Sequence, residues 1–207
     1  THLAGFTWPG HTEMLADFTD TKDVALMLMG DALRVVIVTT HIPLNQVGQL
    51  ITHKQITTTI KLTHQWLLEH VTESPKIAVT GLNPHCGDGG ILGKEELEEI
   101  IPALDDARKE GINAFGPFSA DAFFAKFEPN KYDAVITMYH DQGMIPVKMA
   151  NKGTAVNVTI GLPIIRTSVD HGTAFDIAGK GYASPESLKL AVQSAVQLTK
   201  PTLSRSR

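Results

Sequence analysis

The sequence predicts an α/β fold built on a mostly parallel sheet that is buried on both faces. Short β-branched or apolar runs alternate along the chain with segments whose apolar residues recur at helical spacing. Such alternation is typical of chains in which a helix connects one strand to the next parallel strand. The 207 residues, 43% of them apolar, can form a substantial packed core. The five predicted strands are residues 24–29, 34–40, 76–82, 133–139 and 155–160.

Three segments have the spacing of amphipathic helices. The last of them is predicted to begin with Ser184 as N-cap and Pro185 as first helical residue, and to end before Pro201. Residues 201–207 have no packing pattern and are predicted to form a loose tail. The apolar positions are Ile56, Ile60, Thr63, Leu67 and Val71 in the first helix, Leu97, Ile100, Ile101 and Leu104 in the second, and Leu188, Ala191, Val192, Ala195 and Val196 in the third.

Composition and charge exclude several classes of function. The net charge of −4 comes from interspersed acids and bases, so no nucleic-acid partner is expected. No apolar run approaches the roughly 18 to 20 residues that span a bilayer, and the start lacks the pattern of a signal peptide, so no membrane partner is expected and the predicted location is cytoplasmic. Cys86 is the single cysteine, which excludes an internal disulfide and a thiolate-rich zinc site. Any metal site must therefore use histidines and carboxylates.

Three of the predicted strands run into a histidine. His41, His85 and His140 each follow one of these strands and are 44 and 55 residues apart along the chain. The carboxyl ends of parallel strands form one edge of a sheet, where the three imidazoles could converge. Three neutral imidazoles with an open fourth position suit a catalytic divalent ion such as zinc. The alternative is that each histidine only caps its strand or forms a hydrogen bond within a loop.

A second set of residues indicates anion recognition. Arginine offers a planar fork and lysine a point charge, which together suit a phosphate and a carboxylate. The alternative is that Lys148 and Arg166 are ordinary surface residues. The candidate residues are His11, Thr12, Lys148, Asn157 and Arg166.

A glycine-rich segment follows His85 and precedes the second predicted helix. Residues 86–90 could allow close approach of a cofactor or substrate, but they do not form the GxGxxG fingerprint. The residues alone therefore do not indicate a pyridine nucleotide.

Taken together, five motifs resemble the 4-hydroxythreonine-4-phosphate dehydrogenase family over nearly the whole chain. In that family, positions matching His41, His85 and His140 bind a divalent metal, and those matching the five anion-site candidates bind substrate. The motifs are Pro9-Gly10-His11-Thr12-Glu13, Thr39-Thr40-His41-Ile42-Pro43-Leu44, Gly81-Leu82-Asn83-Pro84-His85, Met138-Tyr139-His140-Asp141-Gln142-Gly143, and Leu162-Pro163-Ile164-Ile165-Arg166-Thr167-Ser168-Val169-Asp170-His171-Gly172-Thr173-Ala174.

The resemblance also implies an architecture. The family fold is similar to that of isocitrate and isopropylmalate dehydrogenases, with two α/β/α lobes, the active site in the cleft, and homodimers whose active sites are shared. Family members begin with a longer segment that these 207 residues do not contain. Residues 1–207 are therefore expected to be the carboxy-terminal portion of such a dehydrogenase, carrying the metal and substrate site but lacking part of one lobe.

The activity implied by the resemblance is the oxidation of 4-phosphohydroxy-L-threonine in pyridoxal 5'-phosphate biosynthesis. The cofactors would be NAD, with NADP as the alternative, and a divalent ion: zinc, magnesium or cobalt. The resulting β-keto acid would lose carbon dioxide to leave an aminoketone phosphate. The general base is not assigned, because Asp141 and Asp170 could each instead orient a neighbouring histidine.

Three other functions fit the residues. A sibling dehydrogenase could use the same metal site to oxidise another phosphorylated hydroxy acid, such as 4-phosphoerythronate. A three-histidine site could also serve a metal-dependent hydrolase, which would reduce no NAD. The third alternative is a non-catalytic fragment that only binds a ligand or partner.

Overall fold

Seven strands form one mixed sheet in the computed structural model, which describes residue 5, residues 7 and 8, and residues 10–199. The predicted tail, residues 201–207, lies outside the described residues. The strands are β1 (Ala25–Met29), β2 (Arg34–Thr39), β3 (Lys76–Thr80), β4 (Asn113–Phe118), β5 (Ala134–Tyr139), β6 (Val156–Ile160) and β7 (Arg166–Ser168). Their spatial order is β4-β3-β5-β2-β1-β6-β7.

The strand directions confirm the parallel prediction for one half of the sheet and correct it for the other. Strands β4, β3, β5 and β2 are parallel neighbours, whereas β1 is antiparallel to both β2 and β6, and β7 is antiparallel to β6. The connections β1–β2 and β6–β7 are short, and a short connection returns the chain in the opposite direction because a parallel strand needs a longer crossover.

Helices cover both faces of the sheet, which confirms the predicted α/β/α arrangement. Along β2 the buried side chains alternate, so that Val36 belongs to the core on the α3 face of the sheet, while Val35 and Ile37 belong to the core on the α6 face. In the described part of the chain, no helix has the length and apolar character needed to cross a membrane. The helices are α1 (His11–Phe18), α2 (Val47–Leu50), α3 (His53–His70), α4 (Ile101–Lys109), α5 (Ala120–Ala125), α6 (His140–Asn151) and α7 (Glu186–Leu198), with a π-helical turn at Glu96–Ile100 before α4.

All five predicted strands are present, each within about two residues of its predicted bounds, but the sequence pattern missed β4 and β7. Both are edge strands of the sheet. The β4 sequence contains Gly116 and Pro117, which interrupt a strand pattern and are tolerated at an edge. The three residues of β7 are too few to show a periodicity.

The first two predicted helices are confirmed as α3 and as the π-helical turn with α4, and the third as α7. One detail of α7 was wrong. Its N-cap is Pro185, although the Ser184 hydroxyl still accepts a hydrogen bond from the Glu186 N–H. The predicted apolar face is buried only at Ala191, whereas Leu188, Val192 and Val196 are each more than half exposed. The spacing identified an apolar face without indicating what covers it.

The last residue of α6 attaches this helix to the turn between β1 and β2. The Asn151 side chain is buried and accepts hydrogen bonds from the backbone N–H groups of Ala32 and Leu33, at 3.0 and 3.4 Å. Its amide donates to the carbonyls of Leu33 and Val147, both at 2.9 Å. The absence of a side chain at Gly30 leaves the room that the Asn151 amide occupies. One polar side chain thus joins α6 to the sheet.

We expect Asn151→Leu to lower the free energy of unfolding by about 2–3 kcal/mol, because the buried backbone groups around it lose their partners. Urea denaturation measures the difference. Asn45→Leu, at an exposed asparagine, is the matched control and should change stability by less than about 0.5 kcal/mol. Equal stability of the two variants would contradict this account of the α6 attachment.

Candidate active site

A cavity of about 410 Å³ is lined by seven of the eight residues predicted to bind substrate or metal. Its walls come from α1, from β1, from the end of β2, from α6, and from the β6–β7 hairpin with the residues that follow it. The eighth predicted residue, His85, does not line it. The seven are His11, Thr12, His41, His140, Lys148, Asn157 and Arg166.

Helix α6 carries two of these residues and packs unusually closely on the sheet. Its first residue is His140, and Lys148 follows two turns later. A Cβ atom at Gly143 would lie 2.6 Å from Val35 Cγ1 and closer still to Thr137 Oγ1. Only glycine therefore permits this approach of α6 to β2 and β5, which places His140 directly at the end of its strand.

His41 and His140 are adjacent because their strands are. Thr39 of β2 is paired with Tyr139 of the parallel strand β5, and each histidine follows its strand by one or two residues. The ring centroids lie 5.7 Å apart. The Nδ1 atom of His140 is 2.7 Å from Asp141 Oδ1, so the carboxylate orients this imidazole and leaves its Nε2 atom for another partner. Two imidazoles at this separation, one oriented by a carboxylate, fit two ligands of a divalent ion.

His85 lies elsewhere, on a loop after β3 whose backbone is left-handed from His85 to Gly89. It is exposed. The pKa of Asp121 is held low mainly by hydrogen bonds from Ser119 and the Ala122 N–H, and to a smaller extent by the charge of His85. Among the described residues, no three His, Cys, Asp or Glu side chains are close enough to hold a metal ion. The structure thus brings together His41 and His140 but not His85.

The β6–β7 hairpin forms the other end of the cavity. Arg166 lies opposite Thr159 in the strand register, and its Nη1 atom donates to Thr159 Oγ1 at 3.0 Å. Partial burial lowers the pKa of Arg166, while the Glu13 carboxylate acts in the opposite direction. The buried Oδ1 atom of Asn157 has no hydrogen-bond partner among the described residues. The half-buried guanidinium is suited to an anionic group, and the unsatisfied amide oxygen is suited to a hydrogen-bond donor of the same ligand.

Lys148 connects α6 to the segment after β7. Its Nζ atom donates to the backbone carbonyl of Asp170 at 3.0 Å and lies 3.9 Å from the Asp170 carboxylate. Asp170 and His171 also line the cavity. Asp170 therefore contacts a cation, whereas Asp141 contacts a histidine.

Glu13 is a cavity residue that the sequence reasoning did not select. Its place in the Gly10-His11-Thr12-Glu13 segment was a signal that could have identified it. Gln142 was quoted in a motif but given no role, although it joins the ends of β3 and β5 by hydrogen bonds.

Comparison with known proteins places these residues in a family. A family model described as "Pyridoxal phosphate biosynthetic protein PdxA" matches residues 1–195. A protein named 4-hydroxythreonine-4-phosphate dehydrogenase from Geobacter metallireducens is 51% identical over 95% of this chain and 58% of its own length. A relative from Oceanobacillus iheyensis, provisionally named D-threonate 4-phosphate dehydrogenase, is 48% identical over 94% of this chain and 59% of its own length.

Solved structures agree with this assignment. The crystal structure of 4-hydroxythreonine-4-phosphate dehydrogenase from Klebsiella pneumoniae matches with a TM-score of 0.87 and 43% identity, over 96% of this chain and 61% of that one. A terephthalate 1,2-cis-dihydrodioldehydrogenase from Burkholderia xenovorans matches with a TM-score of 0.74 and 30% identity, over 91% and 60% of the two chains. The 207 residues therefore span about three fifths of the length of the proteins they match.

Proposed function

Because the chain belongs to the family of the pyridoxal phosphate biosynthetic protein PdxA, we propose that it carries the substrate and metal site of an NAD-dependent 4-hydroxythreonine-4-phosphate dehydrogenase. The observation that carries the proposal is the single cavity with two adjacent imidazoles at one end and Arg166 with Asn157 at the other. Such a cavity suits a small molecule with a hydroxyl to be oxidised at one end and an anionic group at the other.

The polar and anionic groups of the substrate would be held by residues that lack a full set of partners in the described part of the chain. Arg166 uses one Nη atom on Thr159 and has the rest of its guanidinium fork for a phosphate or carboxylate. Asn157 Oδ1 could accept a hydrogen bond from a substrate hydroxyl or amine. Lys148, His11 and Thr12 would complete the cradle and position the reacting carbon.

His41 and His140 are the proposed metal ligands in this chain. Zinc, magnesium or cobalt bound there would lower the pKa of the substrate hydroxyl and stabilise the negative charge that develops on its oxygen. Asp141 holds the ring of His140 in place through its Nδ1 atom, which leaves Nε2 as the coordinating nitrogen.

NAD would accept the hydride. A second pocket of about 460 Å³ shares Thr40, His41 and His140 with the cavity, and its other walls include apolar side chains that suit a planar ring. The proposed reaction removes a hydride from the carbon and a proton from the hydroxyl, giving a β-keto acid. Loss of carbon dioxide from that acid leaves an aminoketone phosphate.

D-threonate 4-phosphate is the second candidate substrate, because the relative from Oceanobacillus iheyensis is named for it. The two substrates share the phosphate and the hydroxyl but differ in the amine. The same end groups of the cavity would therefore serve both, and the residues around the amine would decide between them.

The proposed activity predicts NADH formation, followed by absorbance, when the complete protein receives 4-phosphohydroxy-L-threonine, NAD and Zn²⁺ or Mg²⁺. His41→Ala and His140→Ala should each lower the rate at least about a hundredfold if they remove metal ligands. His64→Ala, at a histidine outside the cavity, is the matched control and should keep the rate.

D-threonate 4-phosphate and 4-phosphoerythronate are tested as substrates in the same assay. NADH formation with neither the threonine nor the threonate substrate would disprove the proposed assignment, and phosphate or ester hydrolysis without NADH would instead favour a hydrolase.

Arg166→Lys should raise KM for the phosphorylated substrate about tenfold or more while leaving the fold intact, because a single ammonium cannot replace a bidentate fork. Steady-state kinetics on the complete enzyme measure the change, and circular dichroism checks the fold. Arg108→Lys, whose arginine pairs with Asp105 on α4, is the control. If both variants keep the wild-type KM, Arg166 is not a substrate ligand.

We also propose that the protein is a homodimer with shared active sites, in which His85 of one copy joins His41 and His140 of the other. Within one chain the His41 and His140 rings are adjacent, but His85 lies outside their cavity. Exposed apolar side chains lie near both parts, with Ile145 and Met149 on α6 and Ile91 after the His85 loop. A two-fold contact that covers them would supply the missing donor to both sites at once.

Mixing inactive variants of the complete protein tests this arrangement. A mixture of His41→Ala and His85→Ala subunits should recover up to about a quarter of the wild-type rate, because about half of the dimers are mixed and each has one intact site. A mixture of His41→Ala and His140→Ala should recover none. Each site takes both His41 and His140 from one chain, so every site in a mixed dimer lacks one of them. Recovery in neither mixture, with subunit exchange shown independently, would mean that each chain builds its site alone.

A further inference from the structure

The loop that carries His85 has a strained backbone conformation, which its own residues do not favour. His85, Cys86 and Asp88 have φ values of 53°, 52° and 45°, and Gly87 and Gly89 between and after them are also left-handed. For residues other than glycine this conformation costs about 1–2 kcal/mol each. Such a run persists only where surrounding contacts impose it.

Glu96 holds the start of this loop. It is 1% exposed, and its Oε1 atom accepts hydrogen bonds from the backbone N–H groups of Leu82 and Asn83, each at 2.7 Å. Its Oε2 atom accepts a third, from the Asn83 side-chain amide at 2.9 Å. All three donors are neutral N–H groups of the same two residues. The carboxylate thus clamps the segment that leads from β3 into the left-handed run.

Glycines make room for this carboxylate on both sides. A Cβ atom at Gly81 would lie 2.9 Å from Glu96 Oε1, and one at Gly87 would lie 2.8 Å from Glu96 Oε2. The carboxylate is therefore packed between the first residue of the segment and the middle of the left-handed run. It contacts the loop at two places rather than at one.

Gln142 binds the same segment from α6. Its Nε2 atom donates to the Gly81 carbonyl at 2.8 Å. Its Oε1 atom accepts from the Met138 N–H at 2.7 Å and from the Thr80 hydroxyl at 3.0 Å. Because Gln142 lies in the first turn of α6, two residues after His140, it ties the loop of His85 to the helix that begins with the other imidazole.

We propose that Glu96 and Gln142 are positioning residues that act through His85. Together they bind the carbonyl of Gly81 and the N–H groups of Leu82 and Asn83, and so hold the left-handed loop that presents His85 as a ligand. The inference rests on the proposed function, since it takes His85 to be a metal ligand. It adds two residues that contact neither the substrate nor the metal.

The test compares Glu96→Gln and Gln142→Met with Glu98→Gln, an exposed acid in the same π-helical turn. In Glu96→Gln an amide donor faces the Asn83 amide donor, and in Gln142→Met all three hydrogen bonds are lost. Affinity for Zn²⁺ alone is measured by competition with a chromogenic chelator. Hydrogen exchange of the segment around Leu82 and Asn83 is measured by mass spectrometry, and melting temperature reports global stability.

We expect the first two variants to bind Zn²⁺ at least about tenfold more weakly than wild type and to exchange faster in this segment, with the control unchanged. Wild-type affinity in both folded variants would overturn the proposal even if their stability falls, because a merely structural role moves only the melting temperature. If one variant does not fold, the other decides. A wild-type protein that binds no Zn²⁺ would overturn the proposed function, and the exchange rates would then decide alone whether Glu96 and Gln142 hold the loop.

Discussion

The contact of α6 with the sheet at Gly143 is the constraint on which the candidate site depends. Because that residue has no side chain, the helix packs directly on Val35 and Thr137 and begins immediately where β5 ends. His140 and Lys148 are then fixed at two depths of one cavity, separated along the helix axis by about 12 Å at 1.5 Å per residue. A rigid helix, rather than two independent loops, sets the distance between the imidazole end and a cation.

The rest of α6 serves the same attachment. Asn151 secures its last turn to the β1–β2 connection, and Gln142 secures its first turn to the ends of β3 and β5. The helix is therefore held at three points along twelve residues. Side chains that bind a ligand with precision need such a support, since small displacements of a reacting group reduce catalysis strongly.

The sequence predicted the edge of the sheet where the site lies, because parallel strands β2 and β5 bring their carboxyl ends together. His41 and His140 follow those strands by two residues and one, so the strand positions nearly determine theirs. His85 follows β3 by five residues, stands at the start of a left-handed run, and lies outside the cavity. The end of a strand does not predict the position of a residue five residues later. The segment after β3 is bound by Glu96 and Gln142, which are distant from it in sequence.

The same reasoning explains which elements were missed. The buried central strands have apolar runs that are visible in the sequence. The edge strands β4 and β7 are interrupted or short, and each is paired with a neighbouring strand that stabilises its extended conformation. For helix α7 the sequence showed an apolar face, but it did not show whether that face is buried. Leu188, Val192 and Val196 are exposed in this chain. Periodicity identifies a face; it does not identify the surface that the face meets.

The charge distribution of the cavity follows from its two halves. The anion end is built on the antiparallel β6–β7 hairpin, where register alone places Arg166 opposite Thr159, and Asn157 lies two residues earlier on the same strand and face. Partial burial disfavours the charged form of Arg166, and Glu13 offsets this only in part, so an anionic ligand would supply the interaction that burial removes. At the imidazole end, by contrast, the divalent ion proposed for His41 and His140 would bind the substrate hydroxyl. A substrate with a phosphate at one end would therefore enter in one orientation, with its phosphate toward the hairpin and its remaining groups toward His41 and His140.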